Sequence, residues 1–153
     1  MTFLREIFQN RCLMSVGIAW LLAQIIKVFT GYFREEEFSI RKLLSGTGGM
    51  PSSHSATVVA LLTSCVMVYG FGGYEAAASV LLATIVMSDA MGVRYETGKQ
   101  AKVINKLVEE LFSGKAKDPQ ANLKELIGHT PFQVFMGAIL GFLVALAVCS
   151  LMK

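Results

Sequence analysis

Four long apolar runs constrain this chain more than any other feature. They extend from Cys12 to Phe33, Ala56 to Gly72, Ala76 to Val93 and Phe132 to Met152, each near the ~17–25 residues that a bilayer-spanning helix requires. The competing reading, buried helices of a soluble bundle, calls for amphipathic stripes. Val80-Leu81-Leu82-Ala83-Thr84-Ile85-Val86-Met87 and the stretch from Leu140 to Val148 are instead apolar on every side. With 54% hydrophobic and 16% charged residues among 153, the chain is also too apolar for an ordinary soluble domain. The expected fold is all-α: a single integral membrane domain over 1–153, a helical bundle with spans near 12–33, 56–72, 76–93 and 132–152.

Once four spans are accepted, lysine and arginine set the orientation. One face holds Arg34, Arg41, Lys42, Arg94, Lys99, Lys102, Lys106, Lys115, Lys117 and Lys124; the other holds Arg5, Arg11 and Lys153, with Lys27 inside the first span. The excess of ten over three assigns the first face to the cytoplasm. The loops 34–55 and 94–131 are then cytoplasmic, both termini lie outside, and the expected location is the cell membrane. A basic cytoplasmic face suits anionic lipid head groups or a phosphate, and nothing in the chain has the pattern of a nucleic-acid module.

Met1 to Asn10 mixes Arg5 and Glu6 with Phe3, Leu4, Ile7 and Phe8, which suits a short interfacial helix; it lacks the pattern of a signal peptide. Cys12, Cys65 and Cys149 are odd in number and widely spaced in or beside apolar runs. They read as small packing residues, with no disulfide framework or metal knuckle. In the second loop Ile104, Leu107, Val108, Leu111 and Phe112 recur at helical spacing, predicting an amphipathic cytoplasmic helix that lies on the membrane or covers a site. A second short helix is expected around Asn122 to Ile127.

The polar turn Ser45-Gly46-Thr47-Gly48-Gly49-Met50-Pro51-Ser52-Ser53-His54-Ser55 runs directly into the second apolar run. Gly49 and its neighbours let backbone N–H groups close on an anion, Ser52 or Ser53 can cap the helix, and His54 falls in its first turn. A helix start of this kind attracts negative charge. Gly128-His129-Thr130-Pro131 is again a turn feeding an apolar helix. The chain's two histidines thus stand at cytoplasmic entrances of two spans, on the face that also carries Asp89 and Arg94. Asp89, about a turn inside an apolar helix, is costly and therefore a functional candidate. Lys42 and Lys99 are further candidate phosphate cations. Two histidines without a cysteine or carboxylate at ligand spacing make a poor zinc site. They suit a nucleophile and a general acid for phosphoryl transfer.

Pro51-Ser52-Ser53-His54 resembles the Pro-Ser-Gly-His signature of the type 2 phosphatidic acid phosphatase and vanadium haloperoxidase superfamily. Gly128-His129-Thr130-Pro131-Phe132-Gln133-Val134-Phe135-Met136-Gly137 resembles its last signature, a histidine followed by aspartate, valine and glycine. Taken with Asp89 to Gln100, the chain is similar to the divergent bacterial and plant branch of that superfamily. The resemblance implies a phosphatase acting on a lipid phosphate, with His129 as nucleophile, His54 as leaving-group acid, and Ser52, Ser53 and nearby N–H groups as the phosphate cradle. It implies no cofactor.

This chain departs from the parent pattern in four ways. The opening lysine and spaced Arg-Pro pair are absent, leaving Arg41 or Lys42 to substitute. The arginine six residues before the last histidine is Leu123, which points to Arg94 from the third span. The aspartate that orients the nucleophile is Gln133, which fixes a tautomer but cannot stabilise an imidazolium by charge; Asp89 is the candidate to supply that charge. An alternative is that Asp89 and a phosphate oxygen hold magnesium for metal-assisted hydrolysis, and a further one is a non-catalytic protein that binds anionic lipid. The parent enzymes have six spans, so four imply a homodimer, for which Gly137-Ala138-Ile139-Leu140-Gly141 offers a small-xxx-small contact.

Overall fold

A computed structural model describes residues 2–32, 50–111 and 129–152, and among them every regular element is helical. α1 (Thr2–Gln9) and α2 (Arg11–Tyr32) are separated by Asn10. The Asn10 side-chain oxygen accepts from the N–H groups of Cys12 at 3.0 Å and Leu13 at 3.1 Å, so it caps α2 and ends α1. α3 (Ser53–Tyr69) follows, then α4 (Tyr74–Met91), α5 (Val93–Leu111) and α6 (Pro131–Leu151).

α3 is the central helix, packed against α2, α4 and α6. Its 17 residues make it shorter than the 22 of α2 and the 21 of α6. Among the described residues three stretches are long and apolar enough to cross a membrane, on α2, from the start of α4, and on α6; α3 is a shorter apolar helix between them. The second expected span therefore begins and ends earlier than its hydropathy suggested. Ser52 caps it one residue ahead of Ser53, and Gly70, at φ +80°, ends it in a conformation that glycine tolerates best. Gly92 likewise closes α4 at Met91 and opens α5, its N–H donating to the Ser88 carbonyl while its own carbonyl accepts from Glu96 N–H. The expected amphipathic helix thus starts at Val93, immediately after the third span. The short helix expected around Asn122 to Ile127 lies outside the described residues.

The bundle is inside out relative to a soluble protein. Its core consists of Ala19, Ala23, Ala56, Ala60, Val144, Ala145 and Val148, joined by buried Ser15, Ser55, Ser64 and Ser79. The outward faces carry Leu21, Phe29, Leu81, Ile85, Phe142 and Leu143. Small residues inside permit close helix approach, and large apolar residues outside meet lipid. Buried hydroxyls are satisfied within their own helices: Ser15 donates to the Arg11 carbonyl at 2.7 Å and Ser79 to that of Ala76 at 2.9 Å.

α3 and α6 run parallel in their closest contact. A methyl group added at Gly137 would strike the Ser52 carbonyl and come within 3.0 Å of Ser55 Cβ, and one added at Gly141 would strike the Ala56 carbonyl. The Gly137/Gly141 face, expected to serve a second copy of the chain, is buried against α3 of the same chain. Its glycines stand four apart, as do Ser52 and Ala56, so one helical row seats on another.

Candidate functional site

The two histidine turns meet at one end of the bundle. The backbone N–H of Ser52 donates to the Gln133 carbonyl at 3.1 Å, tying the start of α3 to the first turn of α6. Ser52 is fully buried, and its Oγ accepts from Ser55 N–H at 3.3 Å and from Ser55 Oγ–H at 3.0 Å. Ser53 is also buried, while His54, one residue on, is exposed. The cap therefore locks the serines inward and sends the histidine outward from the same turn.

At the start of α6, Thr130 and Gln133 form a reciprocal capping box around Pro131. Gln133 N–H donates to Thr130 Oγ1 at 3.3 Å, and Thr130 N–H donates to Gln133 Oε1 at 3.0 Å. The second bond fixes the side-chain amide, because a backbone N–H only donates and so must face the oxygen. The same Oε1 lies 3.3 Å from Nδ1 of His129. An amide oxygen only accepts, so the neutral imidazole carries its proton on Nδ1 and its lone pair on Nε2. His129 itself is 6% exposed. Buried and held by Gln133 through Nδ1, a neutral ring would have Nε2 as its accepting nitrogen.

α2 supplies a group that hydropathy did not single out. Lys27 Nζ donates to Ser53 Oγ at 3.0 Å, and Thr30 Oγ1, three residues on, donates to the Met50 carbonyl at 2.9 Å. These two bonds stitch the end of α2 to the entrance of α3. Among the described residues the Lys27 ammonium meets a hydroxyl, not a carboxylate. The signal in the sequence was a lone lysine within an apolar span, an expensive placement that marks functional candidates generally.

Asp89 is half-buried near the end of α4. Ser79 on α4 stands beside Cys65 on α3, and the helices are antiparallel. At a common rise of about 1.5 Å per residue, the tenth residue beyond Ser79 is level with the tenth before Cys65, which sets Asp89 at the height of Ser55 and thus at the site end. Lys99 on α5 is exposed and pairs with Glu96 at 2.9 Å. Gly49, Arg41 and Lys42 lie outside the described residues, as does the side chain of Arg94 on α5. The three cysteines are buried toward the opposite end, Cys65 facing Cys12 with 4.0 Å between sulfurs and Cys149 beside Ser15.

A helical bundle with large apolar residues outside and small residues inside defines a polytopic membrane protein, with the serine and histidine turns gathered at one end. Its sequence places it further: the chain belongs to the divergent PAP2 family, which matches residues 8–144. It is 42% identical over 155 residues to the Bacillus subtilis (strain 168) protein named "Uncharacterized membrane protein YuiD", across 94% of this chain and 96% of that one. No solved structure matches it.

Proposed function

We propose that this protein is a membrane phosphatase that removes a phosphoryl group from a lipid phosphomonoester or diphosphate. The observation that carries this reading is the Thr130–Gln133–His129 relay, which holds a buried histidine by its Nδ1 next to a serine-capped helix start. In the first step His129 Nε2 attacks phosphorus, the bond to the lipid oxygen breaks, and His54 gives that oxygen its proton. In the second, His54 takes a proton from water, the hydroxide oxygen bonds phosphorus, and the N–P bond breaks to release inorganic phosphate. The different burial of the two rings suits these roles: the nucleophile is held, and exposed His54 can exchange protons with water. The positive end of the α3 dipole is suited to the equatorial oxygens. Asp89 is the carboxylate to offset the imidazolium that neutral Gln133 does not. The excess of lysine and arginine in the loops supports a site at the cytoplasmic face of the cell membrane.

Detergent-purified protein is to be given a panel of lipid phosphates and assayed for released phosphate. His54→Ala and His129→Ala should each abolish turnover, the double change costing little more, because the two act as a unit. An acid-labile phosphoryl group trapped on the protein should disappear in His129→Ala. Binding of anionic lipid without any turnover would instead identify a non-catalytic lipid-binding protein.

A further inference from the structure

We propose that Lys27 is the cation that holds the substrate phosphate, released from Ser53 Oγ to a phosphate oxygen when substrate binds. This inference rests on the site reading above, and deepens it by naming the group that recognises the phosphate. Its support is independent of the histidines. Lys27 lies within a candidate membrane span, five residues before the end of α2 at Tyr32, or roughly 7–8 Å along the helix axis. A lysine so placed ordinarily snorkels to the head groups. Here its ammonium turns into the bundle and bonds a serine that is only 1% exposed, at the first position of α3. Among the described residues the ammonium's partner is a hydroxyl, which does not neutralise its charge, whereas a phosphate would neutralise it and also meet the positive end of α3. Lys27 thus brings a cation to the positive end of α3, with Ser53 between the two. Because this cation rises from within a span, the phosphate it holds sits flush with the bundle, where a lipid-attached phosphate can reach it.

The test uses the full-length protein in detergent with Lys27→Gln, which keeps a donor for Ser53 Oγ but removes the charge, and Lys27→Arg, which keeps the charge. Two readouts are taken: KM and kcat for a short-chain lipid phosphate, and binding of inorganic orthophosphate followed by phosphorus NMR. Lys27→Gln should raise KM about tenfold or more with kcat much less affected, and weaken orthophosphate binding in parallel, while Lys27→Arg restores most of both. Thermal stability of Lys27→Gln should stay near that of the parent. Unchanged KM and unchanged orthophosphate binding in Lys27→Gln, or a loss of stability with both intact, would show that Lys27 is only a tie between α2 and α3. Charge-dependent orthophosphate binding by a protein without turnover upholds the role of Lys27 while ending the phosphatase reading. Turnover unaffected by Lys27→Gln does the reverse. A stronger response for lipid phosphate than for orthophosphate assigns the site to the bilayer.

Discussion

Gln133 Oε1 accepts from both the Thr130 backbone N–H and Nδ1 of His129, at 3.0 and 3.3 Å. One amide thereby starts helix α6 and sets the tautomer of a buried histidine. Gln133→Ala removes both bonds, and turnover should fall by roughly tenfold or more, with about 1 kcal/mol lost from the helix cap. Gln133→Glu keeps the acceptor and adds a negative charge that favours the imidazolium. Proton loss from His129 then requires a more alkaline solution, so the acidic limb of the rate profile should move to higher pH. A profile identical to the parent's in Gln133→Glu would show that this contact does not govern the reacting histidine.

Asp89 separates a metal-free reaction from a magnesium-assisted one. Asp89→Asn is expected to lower turnover without creating a metal requirement, and a chelator should leave the parent protein active. The opposite pattern, strict dependence on magnesium with weakened apparent affinity in Asp89→Asn, would make this carboxylate an ion ligand.

Gly137 and Gly141 are packed against backbone carbonyls, which cannot move aside as a flexible side chain can. Gly137→Ala should destabilise the bundle by about 1–3 kcal/mol and pull α6 away from Ser52, so activity should fall with stability. Intact stability in Gly137→Ala, measured by thermal unfolding in detergent, would contradict the parallel α3–α6 contact. The same variant should leave the oligomeric state unchanged, because the glycine face is used within the chain.

Orientation is testable through α5. A cysteine introduced at exposed Lys106, in a background lacking Cys12, Cys65 and Cys149, should react with an impermeant thiol reagent only after the cytoplasmic side is opened. Labelling in intact cells would invert the topology and move the site to the outer face.

The membrane class, the apolar runs and the two histidine turns were legible in the sequence because each depends on local properties: hydropathy over a run, and glycine, proline or a capping hydroxyl at its ends. The Thr130–Gln133 capping box, though local, emerged only in the structure. Which side of each helix faces inward was not legible. α2, α3, α4 and α6 are apolar all round, so hydropathy does not distinguish the face that meets lipid from the face that meets a neighbour. Close packing of small residues and pairing of polar groups between helices decided it. That is why the glycines of α6, expected to meet a second chain, lie on Ser52 and Ala56. It is also why Lys27, an isolated charge in a hydrophobic run, found its partner 26 residues away at Ser53: inside an apolar bundle a cation goes to the polar group that the tertiary arrangement brings within reach.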